Sequence, residues 1–86
     1  MSDLEQDFTN AAGAVKGLAS RPSDEALLNL YAHYKQATEG DVHGDRPGLF
    51  DFKGGAKYDA WETLRGLSQE DAMQAYIRLV EVLKAG

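Results

Sequence analysis

The chain has 86 residues, a formal net charge of −5 at pH 7 and no cysteine. This length allows one small domain, residues 1–86, and the absence of cysteine excludes disulfides and thiolate metal sites. The negative charge argues against general nucleic-acid binding, which needs a basic face.

The start of the chain predicts a cytoplasmic protein. Residues 1–5 are acidic and lack the basic and apolar regions of a signal peptide. No run of 18 apolar residues occurs anywhere in the chain, so we expect no membrane span. Missing cysteines are compatible with a reducing compartment.

Apolar residues at helical spacing predict two helices in the first half of the chain. Ser2 and Glu5 match a capping box, and Pro22 is expected to break the first helix. Ser23 is a suitable N-cap for the second helix, and Gly40 is a natural stop. The apolar stripe of the first helix consists of Leu4, Phe8, Ala11, Ala12, Val15 and Leu18.

The second half predicts a long loop and two further helices. Glycine and proline mark Asp41 to Gly55 as the loop, and its apolar residues are expected to pack down onto the protein. The third helix is expected from about Ala56 to Arg65, and the fourth after Ser68. The apolar loop residues are Val42, Leu49, Phe50 and Phe52. Four helices without strands indicate an all-α four-helix bundle.

Tyr31 and Lys35 form an aromatic and basic pair on the second helix. Residues four apart share a helix face, and a ring beside an ammonium suits a ligand with a flat ring and a phosphate. The alternative is that Tyr31 and Tyr34 belong to the core while Lys35 is a solvated surface charge. Spacing alone favours this alternative.

Lys53 and Lys57 flank Gly54 and Gly55 where the third helix is expected to start. Helix starts expose unpaired N–H groups that favour anions, and glycine lets a ligand approach the backbone closely. This pattern indicates a second basic segment suited to an anionic ligand. Two glycines before a helix are also common in ordinary loops.

Catalysis and metal binding have little support in the sequence. The only histidines are His33 and His43, and their spacing is not typical of a metal site. The serines lie at expected helix edges, where capping explains them. We therefore expect no enzyme activity, no metal and no cofactor.

Several segments in the same order resemble the acyl-CoA-binding protein family along nearly the whole chain, from about Phe8 to Leu83. The matching segments are Tyr31-Ala32-His33-Tyr34-Lys35-Gln36-Ala37-Thr38 with Gly40-Asp41, Arg46-Pro47-Gly48, Asp51-Phe52-Lys53-Gly54, Ala56-Lys57, Asp59-Ala60-Trp61, and Ser68-Gln69-Glu70-Asp71-Ala72-Met73-Gln74-Ala75-Tyr76-Ile77.

The resemblance implies an up-down-down-up four-helix bundle that reversibly binds medium- and long-chain fatty acyl-CoA esters. Such a protein acts as an intracellular acyl-CoA carrier and pool former, as a monomer, with transient contacts to acyl-CoA-using enzymes and no stable membrane insertion. The residues implied at the coenzyme A headgroup are Tyr31, Lys35, Lys57, Tyr76, Lys16 and Lys53. Those implied along the acyl chain are Leu27, Leu28 and Ala12, and Ala56 is suited to cover the chain as well.

The chain departs from the family pattern at Tyr58, where the family usually has tryptophan, and at Leu27, where methionine is common. Two other functional classes stay open. One is a helical protein-interaction module, and the other is a domain that regulates an acyl-transferring enzyme by delivering its substrate.

Overall fold

The computed structural model describes residues 3–86, which form four α-helices and, in that range, no strand. The helices are α1 (Asp3–Ala14), α2 (Asp24–Glu39), α3 (Phe52–Glu62) and α4 (Gln69–Ala85). The predicted all-α four-helix fold is therefore confirmed. Ser2 of the predicted capping box lies outside the described residues.

Two predicted serine caps are present. The hydroxyl of Ser23 accepts a hydrogen bond from the Ala26 N–H at 3.1 Å, and that of Ser68 accepts one from Asp71 at 3.0 Å. Gly40 ends α2 with a φ of 78°, a left-handed conformation that glycine adopts without strain. The local signals therefore predicted both ends of α2 and the start of α4.

The boundaries of α1 and α3 differ from the prediction. The α1 helix ends at Ala14 and continues only as a 3₁₀ turn, Val15–Gly17, well before Pro22. Gly13 and Gly17 explain the early end, since glycine weakens a helix.

The expected start of α3 at Ala56 is wrong, because Asp51 caps the helix and α3 begins four residues earlier, at Phe52. Its carboxylate accepts from the Gly54 N–H and its carbonyl from the Gly55 N–H, both at 2.9 Å. Gly54 and Gly55 thus lie inside the first turn of α3. The helix also ends earlier than predicted, at Glu62.

Contacts along α2 establish the direction of its two neighbours. Ala37, near the end of α2, accepts a hydrogen bond from Gln69 at the start of α4, so these helices are antiparallel. Tyr31 contacts Lys57, and Lys35 contacts Trp61 four residues further along both helices. The α2 and α3 helices are therefore parallel.

The α1 helix packs against α4 in the same direction. The ring of Phe8 meets that of Tyr76 at 5.1 Å, and the later residues of α1 share a surface with the later residues of α4, among them Ala14 and Lys84. The order is thus up-down-down-up. The core between the helices contains Phe8, Ala11, Leu30, Ala37, Ala72, Tyr76 and Val80.

The loop between α2 and α3 is less buried than its composition predicts. Val42 is buried, as expected. The expectation is wrong for Leu49, Phe50 and Phe52, whose exposed fractions are 81%, 92% and 78%. Phe52 belongs to α3 rather than to the loop, and the early start of the helix directs its side chain outward.

A buried amide connects α2 to both connections that follow it. Gln36 is fully buried, and its Nε2 donates to Asp41 Oδ1 and to the Leu67 carbonyl, each at 2.8 Å. Asp41 Oδ1 also accepts from the Gly66 N–H at 2.8 Å. These bonds hold the pKa of Asp41 below its ordinary value of 3.8, with the Gly66 bond as the largest cause.

The free energy of unfolding should fall in acid, partly through Asp41. Because its pKa is lower in the folded chain, the contribution is complete above the unfolded pKa and is lost as pH falls through the folded pKa. Asp41→Asn keeps an acceptor oxygen but does not titrate. Denaturant unfolding followed by circular dichroism should therefore show a smaller stability loss for Asp41→Asn between about pH 5 and pH 3.

Asp45→Asn is the matched control, since Asp45 is exposed in the same loop and makes no ion pair or hydrogen bond within residues 3–86. An equal flattening of the acid transition by both substitutions would contradict this role for Asp41.

Candidate functional site

A groove of about 780 Å³ lies between α2 and α3. The groove is lined by apolar side chains and by basic and acidic ones. It is lined by Arg21, Asp24, Leu27, Leu28, Tyr31, Phe52, Lys53, Ala56 and Lys57. Six of the ten predicted site residues are in this lining, namely Leu27, Leu28, Tyr31, Lys53, Ala56 and Lys57.

The parallel packing of α2 and α3 brings these six residues together. Leu27 and Tyr31 are four apart on α2, and Lys53 and Lys57 are four apart on α3, so each pair forms a row along its helix. Two parallel rows facing each other make one continuous groove. Leucine side chains supply apolar surface, and the lysines supply positive charge along the opposite wall.

Tyr31 and Lys57 meet across the groove. The Lys57 ammonium lies 5.2 Å from the centre of the Tyr31 ring, within the range of a cation–π interaction. Both side chains are half-buried. The contact places a positive charge beside an aromatic ring, a combination that suits a ligand with a phosphate and a flat ring.

The start of α3 does not offer the anion site that the glycines suggested. Asp51 already accepts from the N–H groups of Gly54 and Gly55. A Cβ on Gly55 would lie 2.9 Å from the Arg46 guanidinium, so glycine there accommodates Arg46 rather than a ligand. Attraction for an anion at this end of the groove therefore comes from the side chains of Lys53 and Lys57.

Lys35 lies one turn beyond Tyr31 and outside the groove lining. Its ammonium is 5.0 Å from the centre of the Trp61 ring and forms an ion pair with Glu39. The hydrogen bond from Lys35 is the largest cause that holds the pKa of Glu39 below its ordinary value of 4.5. The charge of Lys35 is thus near the groove but engaged by an acid.

The other three predicted residues lie apart from the groove. Tyr76 is only 5% exposed and packs with Phe8 and Tyr34, whose ring is 5.9 Å away. Burial raises the pKa of Tyr76 above its ordinary value of 10.0, and Tyr34 adds to the effect. Ala12 packs against the core, and Lys16 is exposed in the 3₁₀ turn.

Phe52, Arg21 and Asp24 line the groove but are not among the residues that the sequence predicts for the site. A helix start at Ala56 leaves Phe52 in the loop. With Asp51 as the cap, Phe52 shares a helix face with Ala56, four residues later. Arg21 and Asp24 pair at 3.3 Å at the exposed start of α2, and no sequence motif marks them.

Tyr58, a departure that the sequence analysis noted, contacts the loop. Its hydroxyl donates to the Gly44 carbonyl at 3.2 Å. The adjacent Asp59 accepts two hydrogen bonds of 2.9 Å from the Arg46 guanidinium, which holds the pKa of Asp59 below its ordinary value of 3.8. Tyr58 and Asp59 together hold the loop against α3.

The part of the chain from Asp3 to Gly86 contains no group of three or more histidine or acidic side chains placed to hold a metal ion. In the same range, no helix has both the length and the apolar character needed to cross a membrane.

Comparison with known proteins identifies relatives over nearly the full chain. Residues 5–80 match the family described as acyl CoA binding protein. An acyl-CoA-binding protein homolog of Manduca sexta is 54% identical over 83 residues, covering 95% of this chain and 92% of the relative. The acyl-CoA-binding protein of Saccharomyces cerevisiae is 50% identical over 82 residues, covering 95% and 94%.

Solved structures agree with the sequence relatives. The crystal structure of Oryza sativa acyl-CoA-binding protein 2 superposes with a TM-score of 0.88 at 44% identity, covering 93% of this chain and 89% of that one. The solution structure of the yeast acyl coenzyme A binding protein gives a TM-score of 0.76 at 51% identity, covering 94% of each chain.

Proposed function

The chain belongs to the acyl-CoA-binding protein family, and we propose that it binds fatty acyl-CoA esters reversibly in the groove between α2 and α3. The observation that carries this assignment is a single groove whose lining combines the apolar side chains of Leu27, Leu28 and Phe52 with the contact between Tyr31 and Lys57. Acyl-CoA has the same two components, an apolar chain joined to an anionic nucleotide. The family is one of binding proteins, which supports a carrier rather than a catalyst.

Tyr31 and Lys57 are the residues best placed for the nucleotide. The ring offers a stacking face and a hydroxyl donor, and the ammonium offers a charge partner for phosphate. Lys53, one turn before Lys57, extends the basic wall. Lys35 is assigned to the 3′-phosphate by family position, and its place one turn beyond Tyr31 supports that role.

Leu27, Leu28, Ala56 and Phe52 are the residues best placed for the acyl chain. They give the groove its apolar surface, and each CH₂ buried there contributes about 0.8 kcal/mol. A tail of about 16 carbons therefore contributes on the order of 10 kcal/mol before entropic costs. Chain length should thus control affinity, while the headgroup sets specificity.

A carrier of this kind is expected to be a cytoplasmic, single-domain monomer that meets acyl-CoA-using enzymes transiently. Roles for Lys16, Ala12 and Tyr76 at the ligand stay predictions, since all three lie outside the groove lining. Tyr76 packs against Tyr34, which is 42% exposed.

Calorimetric titration with acyl-CoAs of increasing chain length tests the proposed function directly. Tight binding is expected only when head and tail are joined, because each part of the groove supplies only part of the free energy. Free fatty acid and free coenzyme A should both bind weakly. Equal affinity for free fatty acid and its coenzyme A ester would rule out the proposed division of the groove.

Lys57→Ala should weaken acyl-CoA binding by about 1–3 kcal/mol, the usual loss for a charged hydrogen bond. The same titration with 3′-dephospho ligand should largely abolish the difference between wild type and variant. Lys84→Ala is the control, because Lys84 is exposed at the end of α4. If the loss persists without the 3′-phosphate, Lys57 does not bind that group.

Phe52→Ala should weaken binding of long-chain esters by on the order of 1–2 kcal/mol, since the ligand would cover only part of this exposed ring. Short-chain esters should be affected little. Leu49→Ala and Phe50→Ala are matched controls, because both side chains are as exposed as Phe52 but do not line the groove. Equal losses for all three variants would refute a specific contact with Phe52.

A further inference from the structure

The ammonium of Lys35 already has an anionic partner in this chain. Lys35 Nζ pairs with Oε2 of Glu39, one turn later on α2. The second carboxylate oxygen of Glu39, Oε1, lies 3.1 Å from Nε2 of His43. Glu39 therefore lies between two basic side chains, one of which is assigned to the ligand's phosphate.

Trp61 holds this cluster in place. Its indole N–H donates to the Gly40 carbonyl at 2.9 Å, and the ring is only 5% exposed. The Lys35 ammonium lies 5.0 Å from the centre of the Trp61 ring, and the His43 ring meets the Trp61 ring edge-on at a distance of 5.2 Å between centres. The position of Lys35 beside Glu39 is thus supported by a buried, hydrogen-bonded side chain from α3.

The position of Glu39 is unfavourable for the helix itself. It is the last residue of α2, and the last turn contains no basic residue. The C-terminal end of a helix carries partial negative charge, so an acid there is repelled. The lysine also precedes the glutamate, which is the weaker order for a pair four residues apart. The contacts of Glu39 with Lys35 and His43 offset this unfavourable position.

The side chains of the pair are neither buried nor fully solvated. The side chain of Lys35 is 24% exposed and that of Glu39 is 38% exposed. A pair in this intermediate position is stronger than one in open solvent, because water screens it less. It also stays accessible, so that a phosphate can approach the ammonium.

We propose that Glu39 limits the affinity for the ligand's nucleotide by competing with its phosphate for Lys35. The inference rests on the proposed function, in which Lys35 receives the 3′-phosphate. On binding, the phosphate must either displace the Glu39 carboxylate from the Lys35 ammonium or share the ammonium with it. In the second case the two anions repel each other. Glu39 is a residue that sets affinity without itself attracting the ligand.

Glu39→Gln should tighten binding of a long-chain acyl-CoA about 3- to 5-fold in calorimetric titration, the fold-change that corresponds to a partly exposed ion pair. Glutamine keeps the shape and helix propensity of the side chain, so the variant is expected to fold. The control is Glu81→Gln, which changes the net charge equally from the exposed face between α1 and α4. This control should leave the affinity unchanged.

The effect of Glu39→Gln must depend on Lys35. In a Lys35→Ala background, adding Glu39→Gln should change the affinity no more than Glu81→Gln does. A 3′-dephospho ligand should reduce the effect in the same way. A gain that persists in the Lys35→Ala background would show a general charge effect and overturn the proposal.

The result also separates this inference from the proposed function. If the unaltered chain does not bind acyl-CoA, both fail. If it binds, but Glu39→Gln binds with equal or lower affinity, only the competing role of Glu39 is overturned. Lower affinity would mean that Glu39 orients Lys35 towards the phosphate instead of withholding it.

Discussion

The buried amide of Gln36 is the interaction on which the arrangement of the helices depends. Its two hydrogen bonds connect the end of α2 to Asp41 in the following loop and to Leu67 before α4. Asp41 in turn accepts from Gly66. Because a buried amide that loses its partners is costly, these bonds establish where α2 ends relative to both connections. The α2 helix packs against both α3 and α4.

The groove follows from that position of α2. Parallel packing with α3 places Lys57 at Tyr31 and Trp61 at Lys35, so two cation–aromatic contacts occur along one seam. Only the first of these lines the groove. The contact between Lys35 and Trp61 lies outside the groove, where Lys35 also forms an ion pair with Glu39. One helix pair thus presents an available positive charge and an engaged one, and the two need not contribute equally to binding.

Much of the fold was predictable because its signals are local. Serine caps at Ser23 and Ser68 and the stop at Gly40 depend on a few neighbouring residues, and the structure confirms them. The start of α3 was missed because Gly54 and Gly55 have low helix propensity, whereas the Asp51 cap and the nearby Arg46 guanidinium explain them in place. The low helix propensity of the two glycines was outweighed by the hydrogen bonds that Asp51 accepts from their N–H groups.

The sequence by itself determined the four helices, the family and six residues of the groove wall, because these depend on residue type, helical spacing and ordered motifs. Tertiary structure alone decided which aromatic ring each of these two lysines, Lys35 and Lys57, contacts. The pairing of Lys35 with Glu39 is local, because the two residues are four apart on α2. Packing of α2 on α3 gives Lys57 the Tyr31 ring and gives Lys35 the Trp61 ring. Which residues face each other across two helices is decided by the position and direction of the helices, and these are properties of the whole fold.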